Sequence, residues 1–228
     1  MVTLFLMLAL SPSTSFLTKA FPGFNGIPAL APLSLLVVGA SMLTLWRSAR
    51  HHAIHMFAGA LLILLLTIGS LISHHAMALA QIISQILFLA YVLWVVGLAV
   101  ARAAVITTDI LCGAVCVYLL FGVLAGFVLL LIEFIAPGSF AISNWSTTPA
   151  QEQDLFLHDP GWLIYFSFIT LTTVGYGDVL PANAVARSAA VLVAVIGQML
   201  LMVQIARLVG LHVAQGSDQK STPPNGRQ

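Results

Sequence analysis

The stretch Thr172-Thr173-Val174-Gly175-Tyr176-Gly177-Asp178 is the part of this chain best equipped for chemistry, and that chemistry is the coordination of a dehydrated cation. An ion that sheds its water needs a cage of oxygen atoms in return. Backbone carbonyls form one when a short loop runs extended along an axis with its C=O groups all facing that axis. An ordinary extended strand alternates its carbonyls, so the one-sided arrangement needs left-handed φ values at intervals. Gly175 and Gly177 adopt those at little steric cost. The Thr173 hydroxyl can add an oxygen at the inner end, while Val174 and Tyr176 turn outward to pack against supporting protein. Thr172 and Asp178 flank the run as candidate supports.

Such a loop has to be held at membrane depth, and the composition supplies a membrane protein. Of 228 residues 60% are hydrophobic and 7% charged, too little polar surface for a soluble domain. The net charge of +1 carries no message about nucleic acid, and none is expected as a partner. A bilayer core about 30 Å thick asks for about 20 apolar residues per helix. Ile27–Trp46, Ala53–Ile72, Ala76–Ala101 and Ile110–Ile132 each meet that length without Asp, Glu, Lys or Arg, and a fifth run extends from Asn183 to Val213. The segment Pro160–Thr172 is too short to cross. With Asp159 as its N-cap and Pro160 in its first turn, it reads as a re-entrant pore helix. Its C-terminal dipole end would favour a cation beyond Thr172.

Charge placement orients the chain. Arg47, Arg50, Arg102, Arg207, Lys220 and Arg227 fall on one side if the spans alternate, and the positive-inside rule makes that side cytoplasmic. Lys19 and Arg187 lie on the other side, together with the segment that carries Glu152, Asp154 and Asp159. Met1–Leu10 is apolar, too short to span, and without the basic region of a signal peptide. It reads either as the outer half of a further spanning helix or as a short interfacial helix.

The run Thr170–Asp178, TLTTVGYGD, resembles the filter of the P-loop potassium channel family, with the TVGYG signature matched at every position from Thr173 to Gly177. The resemblance is close over roughly 162–211 and architectural elsewhere. It implies potassium bound by Thr173, Val174, Gly175 and Tyr176, with Gly177 completing the filter, and passive conduction across the cell inner (plasma) membrane. The filter would face outside and the C-terminus the cytoplasm. A carbonyl ring needs four such segments and the chain holds one, so a homotetramer in the lipid bilayer is expected. No enzymatic step, no cofactor and no small-molecule substrate other than potassium is expected.

The fold class that follows is an all-α integral membrane protein with 5–6 transmembrane helices, one re-entrant pore helix and an extended filter loop. Residues 1–103 form an N-terminal module with three clear helices and a possible partial fourth at 1–17. Residues 104–213 form the pore domain: outer helix 108–134, turret 136–159, pore helix 160–172, filter 173–178 and inner helix 183–213. Residues 214–228 are expected to be a short, disordered cytoplasmic tail. In the inner helix Gly197, nineteen residues after Asp178, matches the place of a gating-hinge glycine in relatives, or else lets another helix approach closely. Gln198, Leu201 and Ile205 are candidate cavity-lining residues, with interhelical hydrogen bonding the alternative for Gln198. Gly122 and Gly126 read as a close-packing pair.

The departures from the family matter as much. Ile169 stands where some relatives place a glutamate, so no buried carboxylate pair lies behind the filter. Phe166 replaces a frequent tryptophan and cannot donate a hydrogen bond. The span Ala76–Ala101 lacks the arginine repeat of a voltage sensor, so steep voltage gating is not expected. Cys112 and Cys116 share a helix face as small apolar residues. A rival class comes from His51, His52, His55, His74 and His75, which flank one span and with His212 could serve a haem-binding membrane cytochrome. A non-conducting regulatory subunit is the third class, and an intact filter argues against it.

Overall fold

The computed structural model describes residues 75–103, 107–143, 156 and 159–221. The first two apolar runs, the 1–17 segment and His51, His52, His55 and His74 lie outside the described residues. Within them the order is α1 (His75–Arg102), α2 (Thr108–Ile135), β1 (Phe140–Ile142), α3 (Gly161–Leu171), β2 (Val179–Pro181) and α4 (Ala184–Ser221). Among the described residues three stretches are long and apolar enough to cross a membrane: Ala78–Arg102, Thr108–Ile135 and Ala184–Gly210. At about 1.5 Å per residue each exceeds the hydrocarbon thickness, whereas the 11-residue α3 reaches only about 16 Å. This is a predominantly helical membrane protein.

Local signals explain the helix ends. Thr107 is extended (φ −119°, ψ 162°) and its hydroxyl accepts the N–H of Ile110, with Asp109 in the first turn of α2. Asn183 caps α4 by accepting the N–H of Ala186 at 2.8 Å. At its other end α4 runs to Ser221, past the expected limit at 213, so residues 214–221 are helical where a disordered tail was expected. Gly210 and Gly216 weaken the helix without stopping it.

The core gathers around α2, whose faces meet α1, α3 and α4. Phe127, Leu129, Leu163 and Leu171 are fully buried within it. Gly122 and Gly126 let α2 touch α3: a Cβ at Gly122 would lie 2.4 Å from the Phe168 ring, and one at Gly126 2.7 Å from the Ile164 Cα. Ser167 closes the same seam by donating to the Gly122 carbonyl at 2.7 Å. Gly126→Ala is therefore expected to push α3 away from α2, because a backbone atom cannot yield as a side chain can. Overpacking of this kind costs about 1–3 kcal/mol, and a lowered thermal unfolding midpoint in detergent is the check.

The structure adds one element to the all-α expectation. β1 and β2 pair antiparallel in the register Phe140↔Pro181, Ala141↔Leu180 and Ile142↔Val179. Backbone bonds extend the pairing on both sides, from Ser143 N–H to the Asp178 carbonyl and from Ala182 N–H to the Ser139 carbonyl. This ribbon ties the segment after α2 to the segment after the candidate filter.

Candidate functional site

The site is built at the C-terminal end of α3. Pro160, expected as the first helical residue, is instead the N-cap residue of α3 and makes no side-chain cap bond, while Asp159 before it accepts the N–H of Gly161 at 3.1 Å. The apolar side chains Leu163, Ile164, Phe166, Phe168, Ile169 and Leu171 are all buried, so the helix is anchored on every side. Its last turn hands the chain over through a run of backbone bonds. Thr172 N–H reaches the Phe168 carbonyl, and Thr173 N–H the Thr170 carbonyl. Val174 N–H (2.8 Å) and Gly175 N–H (3.1 Å) both reach the Ile169 carbonyl. The Thr172 hydroxyl also donates to the Phe168 carbonyl at 2.7 Å.

The backbone beyond this turn alternates. Thr173, Gly175 and Gly177 have φ of +61°, +56° and +77°, while Val174 and Tyr176 between them do not enter the left-handed region. The two glycines sit as the sequence anticipates. Thr173 is the one non-glycine residue with positive φ among the described residues, a conformation that costs about 1–3 kcal/mol and is held by its surroundings. Every residue from Thr172 to Gly177 is exposed in the single chain, including Val174 and Tyr176.

Support for the outer end comes from a residue the sequence did not single out. Tyr165 donates its hydroxyl to Asp178 Oδ2 at 2.7 Å, and its ring stacks on Tyr176 with centroids 6.5 Å apart and planes 7° from parallel. The other Asp178 oxygen accepts Val179 N–H at 3.0 Å. Phe166 packs edge-on against Phe140 with centroids 5.5 Å apart, an apolar contact where a donor is missing. Ile169 contributes its carbonyl alone. Tyr165→Phe keeps the stacking and deletes the bond to Asp178. A loss of about 1–2 kcal/mol is expected, read as a lower thermal midpoint in detergent.

The inner end is gripped at Leu171. Its carbonyl accepts from the Tyr118 hydroxyl at 3.3 Å and from Gln198 Nε2 at 3.2 Å. Gln198, a candidate for the cavity wall, is thus half-buried and bonded to the end of α3. Gly197 beside it leaves no space for a side chain, since a Cβ would stand 2.1 Å from Leu171 Cδ1. The close approach to α3 matches the packing alternative for that glycine and does not bear on a hinge. Leu201 is half-buried and Ile205 exposed on the continuation of α4. Among the described residues no three His, Cys, Asp or Glu side chains gather to hold a metal ion. Tyr118 and Tyr165 were detectable as polar tips in apolar helices, but their acceptors were not.

Residues 110–212 match a family model described as "Ion channel", which takes in α2, the ribbon, α3, the glycine-containing loop and most of α4. No curated protein and no solved structure matches the chain. The matched part is similar to an ion-channel family, and its apolar helices place it in a membrane.

Proposed function

We propose that four copies of this chain form a potassium-selective channel, with Thr173–Gly177 of each copy as one wall of the filter. The observation that carries the reading is the alternation of positive φ at Thr173, Gly175 and Gly177, together with the Val174 and Gly175 N–H groups turned back onto the Ile169 carbonyl. N–H groups engaged behind the loop leave the carbonyls of Thr173, Val174, Gly175 and Tyr176 available to an ion on the other side. The exposure of residues 172–177 and of one face of α4, including Val195, Met199 and Met202, fits a surface covered by further copies.

In this reading α2 is the outer helix, α3 a re-entrant pore helix and α4 the inner helix of a pore domain over 104–213. Residues 1–103 are a preceding membrane module that brings the total to 5–6 spans. The filter opens outward, and the C-terminus lies in the cytoplasm of a cell whose inner membrane holds the channel. Ions move in single file down their gradient, exchanging water for carbonyl oxygen. The test is uptake of K⁺ and of Na⁺ into liposomes that hold the purified full chain, with barium as blocker. Barium-sensitive uptake that favours K⁺ supports the proposal; equal uptake of both ions contradicts the selective loop.

A further inference from the structure

An arginine inside an apolar span has to find partners within the protein. Arg207 lies in the stretch Ala184–Gly210, half-buried, ten residues beyond Gly197 and therefore about 15 Å further from the filter along α4. Its guanidinium donates through Nη1 to the Val100 carbonyl and through Nη2 to the Ala103 carbonyl, the latter at 2.7 Å. Both acceptors sit at the C-terminal end of α1, where carbonyls lack the usual donor four residues on and the dipole is negative; the Val100 carbonyl also accepts the Ala103 N–H at 3.3 Å. A planar fork that bridges two such carbonyls is a good match for that end.

The surroundings make this a junction of three helices. Val100, Ala114 and Val117 are buried together there, with Leu93, Val96, Ile110, Leu200 and Leu208 packed against them. Gly113 brings α2 close enough that a Cβ would lie 2.8 Å from Val100 Cγ2. The region similar to ion channels starts at residue 110, so Arg207 reaches from inside it to a helix outside it.

We propose that Arg207 is a positioning residue that latches the inner end of α4 to the end of α1, so that movement of the preceding module is carried into the conduction path. The inference rests on the channel reading for its consequence, though the latch itself can be measured without conduction. Two readouts keep these apart, both on the full chain in liposomes. The first is backbone hydrogen exchange. Arg207→Gln is expected to raise exchange about tenfold in both 96–103 and 200–213, while 161–178 keeps its protection. The second is single-channel recording, in which the same variant changes open probability at least about fivefold with unit conductance and K⁺ over Na⁺ preference unaltered.

Arg207→Lys retains the charge but offers one compact donor in place of a fork, so it should fall between the parent and Arg207→Gln. Arg102→Gln removes an exposed charge from the same end of α1 and should behave as the parent chain. Should Arg207→Gln not assemble, Arg207→Lys carries the same two readouts. The latch is overturned if exchange in 96–103 stays at the parent level, or if Arg102→Gln has the same effect. Faster exchange with an unchanged open probability overturns the coupling. A parent chain that passes no potassium removes the proposed function, and exchange still reads the latch.

Discussion

Gly175→Ala is expected to abolish potassium selectivity while the protein still folds and assembles. The reason is conformational. Within the single chain nothing lies within 4 Å of a Cβ built at Gly175, so no collision inside the subunit opposes alanine. What opposes it is φ of +56°, where an L-residue pays about 1–2 kcal/mol. Repeated in four copies this amounts to about 4–8 kcal/mol, applied to a loop of a few residues and not to the helical core. The loop already holds Thr173 at φ +61°, so little tolerance is left. The loop should therefore leave the alternating shape before the helices respond. Uptake measurements should find the K⁺ over Na⁺ preference gone, or both fluxes lost, with the oligomer unchanged on sizing. An alanine variant with the parent's preference would mean that the shape of this loop does not set selectivity.

The second large effect is expected at Glu133, forty residues before the start of the candidate filter at Thr173. Its side chain is fully buried in the last turn of α2. One oxygen accepts the Gly138 N–H at 2.8 Å and the other the Phe140 N–H at 2.9 Å. These bonds shape the turn that contains Gly138 at φ +79° and set the start of β1. Pairing with β2 and the bond from Ser143 to the Asp178 carbonyl then connect this turn to the outer end of the loop. Glu133→Ala leaves the buried Phe140 N–H and the half-buried Gly138 N–H without this acceptor, at about 1–3 kcal/mol for the buried one and less for the other. The sum corresponds to a fall in thermal midpoint of roughly ten degrees for a chain of this size. Glu133→Gln keeps one carbonyl-type acceptor and turns an NH₂ toward the other donor, so its midpoint should lie between. Equal midpoints for the parent and Glu133→Ala would contradict the role of this turn.

Much of the site could be read from sequence because the features concerned are local. The two glycines of the loop, the short α3, the Asp159 acceptor ahead of it and the Gly122/Gly126 pair each have a signature within a few residues. The remainder depends on partners without one. β1 and β2 span three residues each, too few to display a period of two, and they pair across 40 positions of chain. The acceptors that organise the site are backbone carbonyls of Ile169, Leu171, Val100 and Ala103, which any residue type would provide. Polar tips such as Tyr165, Gln198 and Arg207 therefore announce themselves in an apolar background, while the groups they bind do not. Phe166 illustrates the converse: its missing donor was visible, and the donor that serves Asp178 sits one residue earlier.

The central claim is that Thr173–Gly177 from four chains select potassium by backbone oxygen. The most direct measurement is the reversal potential of the purified protein in a planar bilayer, with K⁺ on one side and Na⁺ on the other. A reversal potential displaced well beyond about 60 mV toward the K⁺ equilibrium value, corresponding to at least about tenfold preference, is the result predicted. Current that reverses near zero under the same gradient would contradict it.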